Sequence, residues 1–103
     1  MAKGYWVAHV GSDDPSNFGS DTYQAYVSGA APCFQKYNAK FLARGGDYVI
    51  AEGDDLGTRH VVAEFASLDD AKACYNSDEY QQARKHRTAV SNATIILMEG
   101  LAD

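Results

Sequence analysis

The sequence is short of basic residues, of cysteine and of long apolar runs, and each shortage closes off a class of function. Nine Lys and Arg stand against 14 Asp and Glu, a formal charge of −5. A polyanion needs dense Lys and Arg to displace its counterions, so nucleic acid is not an expected partner. The late basic group Arg84, Lys85 and Arg87 is too small a footprint to change that. Only two cysteines occur, Cys33 and Cys74, far apart and in no metal-like spacing. They read as free thiols of a reducing compartment, packed as small apolar groups rather than serving as nucleophiles. No two histidines stand at metal-ligand spacing, so no metal is expected. No apolar stretch approaches the roughly 20 residues that a membrane helix needs. Met1 to Gly4 leads straight into a strand-like run without the form of a targeting leader, and the expected location is cytoplasmic. There is no G-x-S-x-G, no phosphate loop and no dinucleotide fingerprint, so the chemistries those motifs serve find no support and no cofactor is expected.

What is abundant is apolar and aromatic. Hydrophobic residues make up 46% of the 103, with seven Tyr, four Phe and one Trp. That composition excludes a disordered chain and supplies large packing groups, many with a polar handle. One domain over residues 1–103 is expected, with a core thin enough that oligomer contacts would add to it.

Tyr5-Trp6-Val7-Ala8-His9-Val10 reads as a strand, and Gly11 to Ser20 as a loop. Ser20 or Asp21 caps a helix whose apolar face carries Tyr23, Tyr26, Val27, Ala30, Phe34 and Tyr37. Pro32 should kink or split that helix near Gly29 to Ala31. Phe41 to Arg44 is a second strand. Gly45-Gly46 reads as a bulge within it, and Tyr48 to Glu52 as its continuation. Gly53 to Gly57 is a turn, and His60 to Phe65 a third strand. Ser67 starts a helix with Leu68, Ala71, Cys74 and Tyr75 on its buried stripe. Asn76-Ser77 is a stop and a restart, with Ser77 capping a second segment that runs through Arg87. Ala93 to Glu99 is the last strand.

The order β-α-β-β-α-β is the split βαβ motif of ferredoxin-like α+β domains. Right-handed crossovers give the spatial order 4-1-3-2, every strand antiparallel to its neighbours, with the helices on one face. The strands are apolar on both faces: Tyr5 and Val7 oppose Trp6 and Ala8, and Ile95 to Met98 is continuous. A sheet of that kind wants two covers. Helices supply one, and a second copy of the sheet is the simplest other, so a homodimer is expected.

Three stretches carry a family likeness: Gly4-Tyr5-Trp6-Val7-Ala8-His9-Val10; Phe41-Leu42-Ala43-Arg44-Gly45-Gly46; and Cys74-Tyr75-Asn76-Ser77 followed by Glu79-Tyr80-Gln81, Ala83 and Arg87. With Tyr23, Tyr26-Val27 and Ala31-Pro32, they resemble the family catalogued as domain of unknown function 1330. The resemblance implies the dimeric α+β barrel superfamily. That group includes haem-degrading and antibiotic-biosynthesis monooxygenases, muconolactone isomerases and binding modules. Two departures concern a nearby pocket mouth: the Gly11 to Ser20 loop is longer than the family's usual run, and Asn38-Ala39 stands where a glycine pair is expected.

Few polar groups sit in the strands. His9 ends the first on the face of Tyr5 and Val7, as a general base or as a hydrogen-bonded strand-end residue. Arg44, beside backbone N–H groups exposed at Gly45, either holds a carboxylate or pairs with Glu52, Glu64 or Glu99. Tyr80, Arg84 and Arg87 share one helical face, which either lines a pocket or meets solvent. The family likeness favours a pocket for Tyr80 and Arg87. Glu64 and Glu99 need partners where buried, as site residues or as an ion pair fixing dimer register. The first reading is therefore a small-molecule-binding dimer, with turnover of the cofactor-free kind open to it. Its anionic or carbonyl-bearing ligand lies between sheet and helices, gripped by Arg44 and Arg87. The second is a non-catalytic binding or structural homodimer. A haem-degrading role, implied by the resemblance alone, is the third.

Overall fold

A computed structural model describes residues 2–102. Its elements follow the order β1 Gly4–Gly11, α1 Asp21–Lys36, β2 Lys40–Arg44, β3 Arg59–Phe65, α2 Leu68–Asn76, α3 Asp78–Val90 and β4 Asn92–Glu99, with a short 3₁₀ turn at Pro15–Gly19. The four strands form one sheet in the order β2-β3-β1-β4, antiparallel throughout. This is the ferredoxin-like α+β architecture, with the second helical segment divided in two.

Serine side chains start all three helices. Ser20 accepts from the Tyr23 amide, Ser67 from the Asp70 amide and Ser77 from the Tyr80 amide. Ser77 also ends α2, because its own N–H and hydroxyl both donate to the Cys74 carbonyl. A single residue thus makes the break between α2 and α3.

Two expectations fail. Pro32 does not split α1, which runs unbroken from Asp21 to Lys36. Proline removes one N–H from the ladder, but α1 is anchored along its length against α3, and packing of that kind outweighs local propensity. The approach is close: a Cβ on Gly29 would lie 3.0 Å from the Ala83 Cβ. The second failure is β2, which stops at Arg44, so Tyr48 to Glu52 is not a strand. A hairpin partner for that stretch would have to come from residues 53–58, where Gly53 and Gly57 take positive φ of 100° and 140°. The ladder between β2 and β3 accordingly stops at the Arg44–Val61 pair. The bulge is real but lies earlier, as a register shift between Phe41 and Ala43.

The core sits between the sheet and the helices. Trp6 is its centre, with ring centroids 4.9 Å from Phe34 and 5.0 Å from Tyr80. Trp6, Ala8 and Val10 alternate with Tyr5, Val7 and His9, so one face of β1 is buried and the other only half covered. On that open face Ile96 and Met98 remain 45% and 51% exposed. Among the described residues no helix is long and apolar enough to cross a membrane.

Candidate functional site

Helix α1 packs on α3 and stands away from the sheet. The space beneath it is a cavity of about 310 Å³. Small side chains leave the room: Ala8 on the sheet, Ala30 and Ala31 on α1, and Ala39 at the start of the next strand. Its walls are aromatic, from Trp6, Phe34, Phe41, Tyr23 and Tyr26. Its polar groups are chiefly Arg44, Arg59 and Arg87.

Each arginine reaches the cavity for a separate reason. Arg87 is carried by α3 and is only 3% exposed, with its guanidinium 5.4 Å from the centroid of the Tyr26 ring. Its Nε has no hydrogen-bond partner. Arg59 opens β3 in step with Val61, Ala63 and Phe65, which places all four on the helix side. Arg44 is turned inward by the bulge. Lys40 faces Glu64 on the open side of the sheet, so an even-numbered residue of β2 would point outward too. The extra residue at Leu42 reverses that parity, setting Arg44 opposite Val61 and over the Phe41 ring at 4.5 Å. Among the described residues no carboxylate lies within ion-pair distance of any of the three.

Burial raises the Tyr23 hydroxyl above its ordinary value, while the positive charges of Arg59 and Arg87 pull the other way. Burial pushes the Tyr80 hydroxyl up further still, and that hydroxyl meets the Tyr26 hydroxyl at 3.1 Å. Both phenols therefore stay neutral donors in the ordinary pH range. Chemically, the arrangement is a set of guanidiniums beside neutral phenols, Arg59 by Tyr23 and Arg87 by Tyr80, in an apolar chamber suited to carboxylate, enolate or phosphate oxygens.

The structure brings Arg44 and Arg87 together, with Tyr80 behind them, supporting Tyr26. It does not bring the other expected residues there. The Gly45 N–H donates to the His60 carbonyl at 2.9 Å, so it is not the free backbone donor expected for a ligand. Gly45 instead gives room, because a Cβ there would lie 2.9 Å from the Arg59 guanidinium. His9 lies on the open face, its Nδ1 2.8 Å from Nδ1 of His60, the residue opposite it on β3. A general base must reach the proton that it takes, and here the sheet stands between His9 and the cavity. Glu64 shares the open face and accepts a bond from the Tyr5 hydroxyl at 3.1 Å. Glu99 is exposed at the end of β4, beyond the chamber.

Sequence reading missed Arg59 and the polar part played by Tyr23 and Tyr26. The signal for Arg59 was present, since it keeps the period of two with Val61, Ala63 and Phe65. The spacing of Tyr23 and Tyr26 shows only the apolar stripe of α1 and carries no sign of their polar part. Among the described residues no three metal-ligating side chains converge.

The family model described as Domain of unknown function (DUF1330) matches residues 3–101. The chain belongs to the DUF1330 family. No curated protein matches it. Solved structures share the fold of this DUF1330 chain. A protein of unknown function from Rhodopseudomonas palustris, RPA0582, superposes with a TM-score of 0.72 at 20% identity, over 99% of this chain and 85% of that one. SnoaB, a cofactor-independent oxygenase from Streptomyces nogalater, gives 0.61 at 12% identity, over 100% and 97%. A dimeric ferredoxin-like protein of unknown function from Thermobifida fusca gives 0.62 at 17%, over 97% and 92%.

Proposed function

We propose that this DUF1330 chain binds a small anionic or carbonyl-bearing molecule in the cavity between sheet and helices, and does so as a homodimer paired through its open sheet face. The observation that carries the reading is Arg87, a guanidinium 3% exposed with no carboxylate beside it among the described residues. Taking an unpaired charge out of water costs several kcal/mol, and buried charges are ordinarily paired. An incoming anion is the missing partner. Arg59 and Arg44 extend the positive field towards the opening between α1 and β2, where Val27, Ala31, Gln35 and Arg44 are exposed.

Among the described residues the cavity lining contains no histidine, aspartate or glutamate. That favours binding over acid–base turnover, and it leaves tyrosine hydroxyls as the proton-bearing groups nearest a ligand. The similarity to SnoaB, a cofactor-independent oxygenase, is consistent with a chamber of this kind orienting a reactive substrate.

Calorimetric titration with small carboxylates and inorganic phosphate tests the reading. Saturable binding that disappears in Arg87→Met, with the hydrodynamic size unchanged, supports it. Absence of binding by every anion at millimolar concentration, or equal binding by the variant, overturns it.

A further inference from the structure

Within the cavity three apolar rings, Trp6, Phe34 and Phe41, share one row, and two of the arginines follow it along the strands. Register shows this directly. Phe41 lies opposite Ala63, and Ala63 opposite Trp6, so these residues form one row across the sheet. Phe34 of α1 closes over that row, 4.9 Å from Trp6 and 5.1 Å from Phe41 by ring centroids. One step along the strands, Arg44 lies opposite Val61, and Val61 opposite Ala8. A further step brings Arg59 opposite Val10. Each step is two residues, or about 7 Å of strand. Arg87 comes from the helix side, its guanidinium 5.4 Å from the centroid of the Tyr26 ring.

We infer that the ligand is an aromatic acid, its ring against Trp6, Phe34 and Phe41 and its acid group among Arg44, Arg59 and Arg87. This rests on the anion-binding reading above and narrows it. A bare inorganic anion would satisfy the guanidiniums and leave the aromatic end with nothing to fill it. A neutral aromatic would fill that end and leave Arg87 buried without a counter-charge. The volume of about 310 Å³ suits one compact molecule, equal to about ten waters at roughly 30 Å³ each. Ala8, Ala30, Ala31 and Ala39 are among the lining residues, so part of the wall is free of large side chains. Arg44 already stacks on Phe41, which places positive charge at the edge of the aromatic end.

Three probes separate the contributions, titrated at constant ionic strength into the unmodified protein: benzoate carries ring and charge, acetate the charge alone, and benzamide the ring alone. The expected result is that benzoate binds at least ten-fold more tightly than either of the others. Phe41→Leu removes a ring and the support under Arg44, so it should weaken benzoate several-fold more than it weakens acetate. Acetate binding as tightly as benzoate overturns the aromatic-acid inference while the anion site stands. Benzamide binding as tightly as benzoate overturns it too, because the charge would then contribute nothing. If none of the three binds and phosphate also fails, the anion-binding reading falls and this inference with it.

Discussion

The Arg87 guanidinium lies over the ring of Tyr26, 5.4 Å from its centroid, and among the described residues no carboxylate attends it. A desolvated cation over an aromatic face gains about 2 kcal/mol, which offsets only part of the cost of burying the charge. Replacing Arg87 with methionine removes that cost and keeps a long side chain in place. The expected melting temperature of Arg87→Met is therefore equal to or above that of the parent. In a domain of this size, 1 kcal/mol corresponds to about 4–8 °C. A fall of twice that would mean the guanidinium has structural partners and is not held open for a ligand.

Gly45 carries a different expectation. Its φ of 68° lies in the left-handed region, and a Cβ would meet the Arg59 guanidinium at 2.9 Å. Gly45→Ala should cost about 1–2 kcal/mol from the backbone alone. It should also weaken anion binding, by pushing Arg59 out of position. Gly46 has open space around its Cβ position, so Gly46→Ala is the control that should change little. Urea unfolding of the two variants side by side decides it: equal loss in both would contradict the steric argument.

How much of this was legible beforehand depends on which physics decides each feature. The element order and the Ser77 break are local, written in serine caps and alternating strands, and they are visible in the residues themselves. The two-sided strands and the placing of His9 on the face away from Trp6 follow from a period of two. Arg59 was readable by that same rule. Arg44 was not readable in this way, because only the bulge at Leu42 turns it inward, and no glycine or proline marks that position. The fate of Tyr48 to Glu52 was equally hidden: its β-forming residues promise a strand, and what they lack is a partner on this chain. The cavity itself arises because α1 seats on α3 rather than on the sheet, and single-residue patterns do not encode that choice.

Stability should fall in alkali. Burial, with a smaller contribution from nearby Cys33, raises the Cys74 thiol from 9.0 to about 12. Burial likewise raises Tyr80 and Tyr23 above the ordinary tyrosine value of 10.0. Below about pH 9 both folded and unfolded chains hold the thiol proton, so the group makes no pH-dependent difference. Above it the unfolded chain releases the proton while the folded chain keeps it, and stability drops as pH rises towards about 12. The tyrosines add to the loss from pH 10 upwards. Urea midpoints across this range should show the decline, and Cys74→Ala should remove its earlier part. Near neutral pH neither Cys33 nor Cys74 should react with a thiol reagent until the protein is unfolded, since both are buried.

Ile96 tests the homodimer. In the single chain it is 45% exposed on the open face, beside Met98 at 51%. A lysine at position 96 can lay its stem along the sheet and keep its charge in water, so the isolated chain should lose little, within about 0.5 kcal/mol. In a sheet-against-sheet pair the same lysine enters the contact from both copies, because a two-fold interface uses one surface twice. Two unpaired charges would then be buried, at several kcal/mol each. Light scattering should give the parent twice the chain mass of 11.2 kDa and Ile96→Lys the single mass, with the fold intact by circular dichroism. A parent that is already monomeric at micromolar concentration, or a variant that remains dimeric, would show that something other than this face holds two copies together, and the sheet-on-sheet pairing would have to be given up.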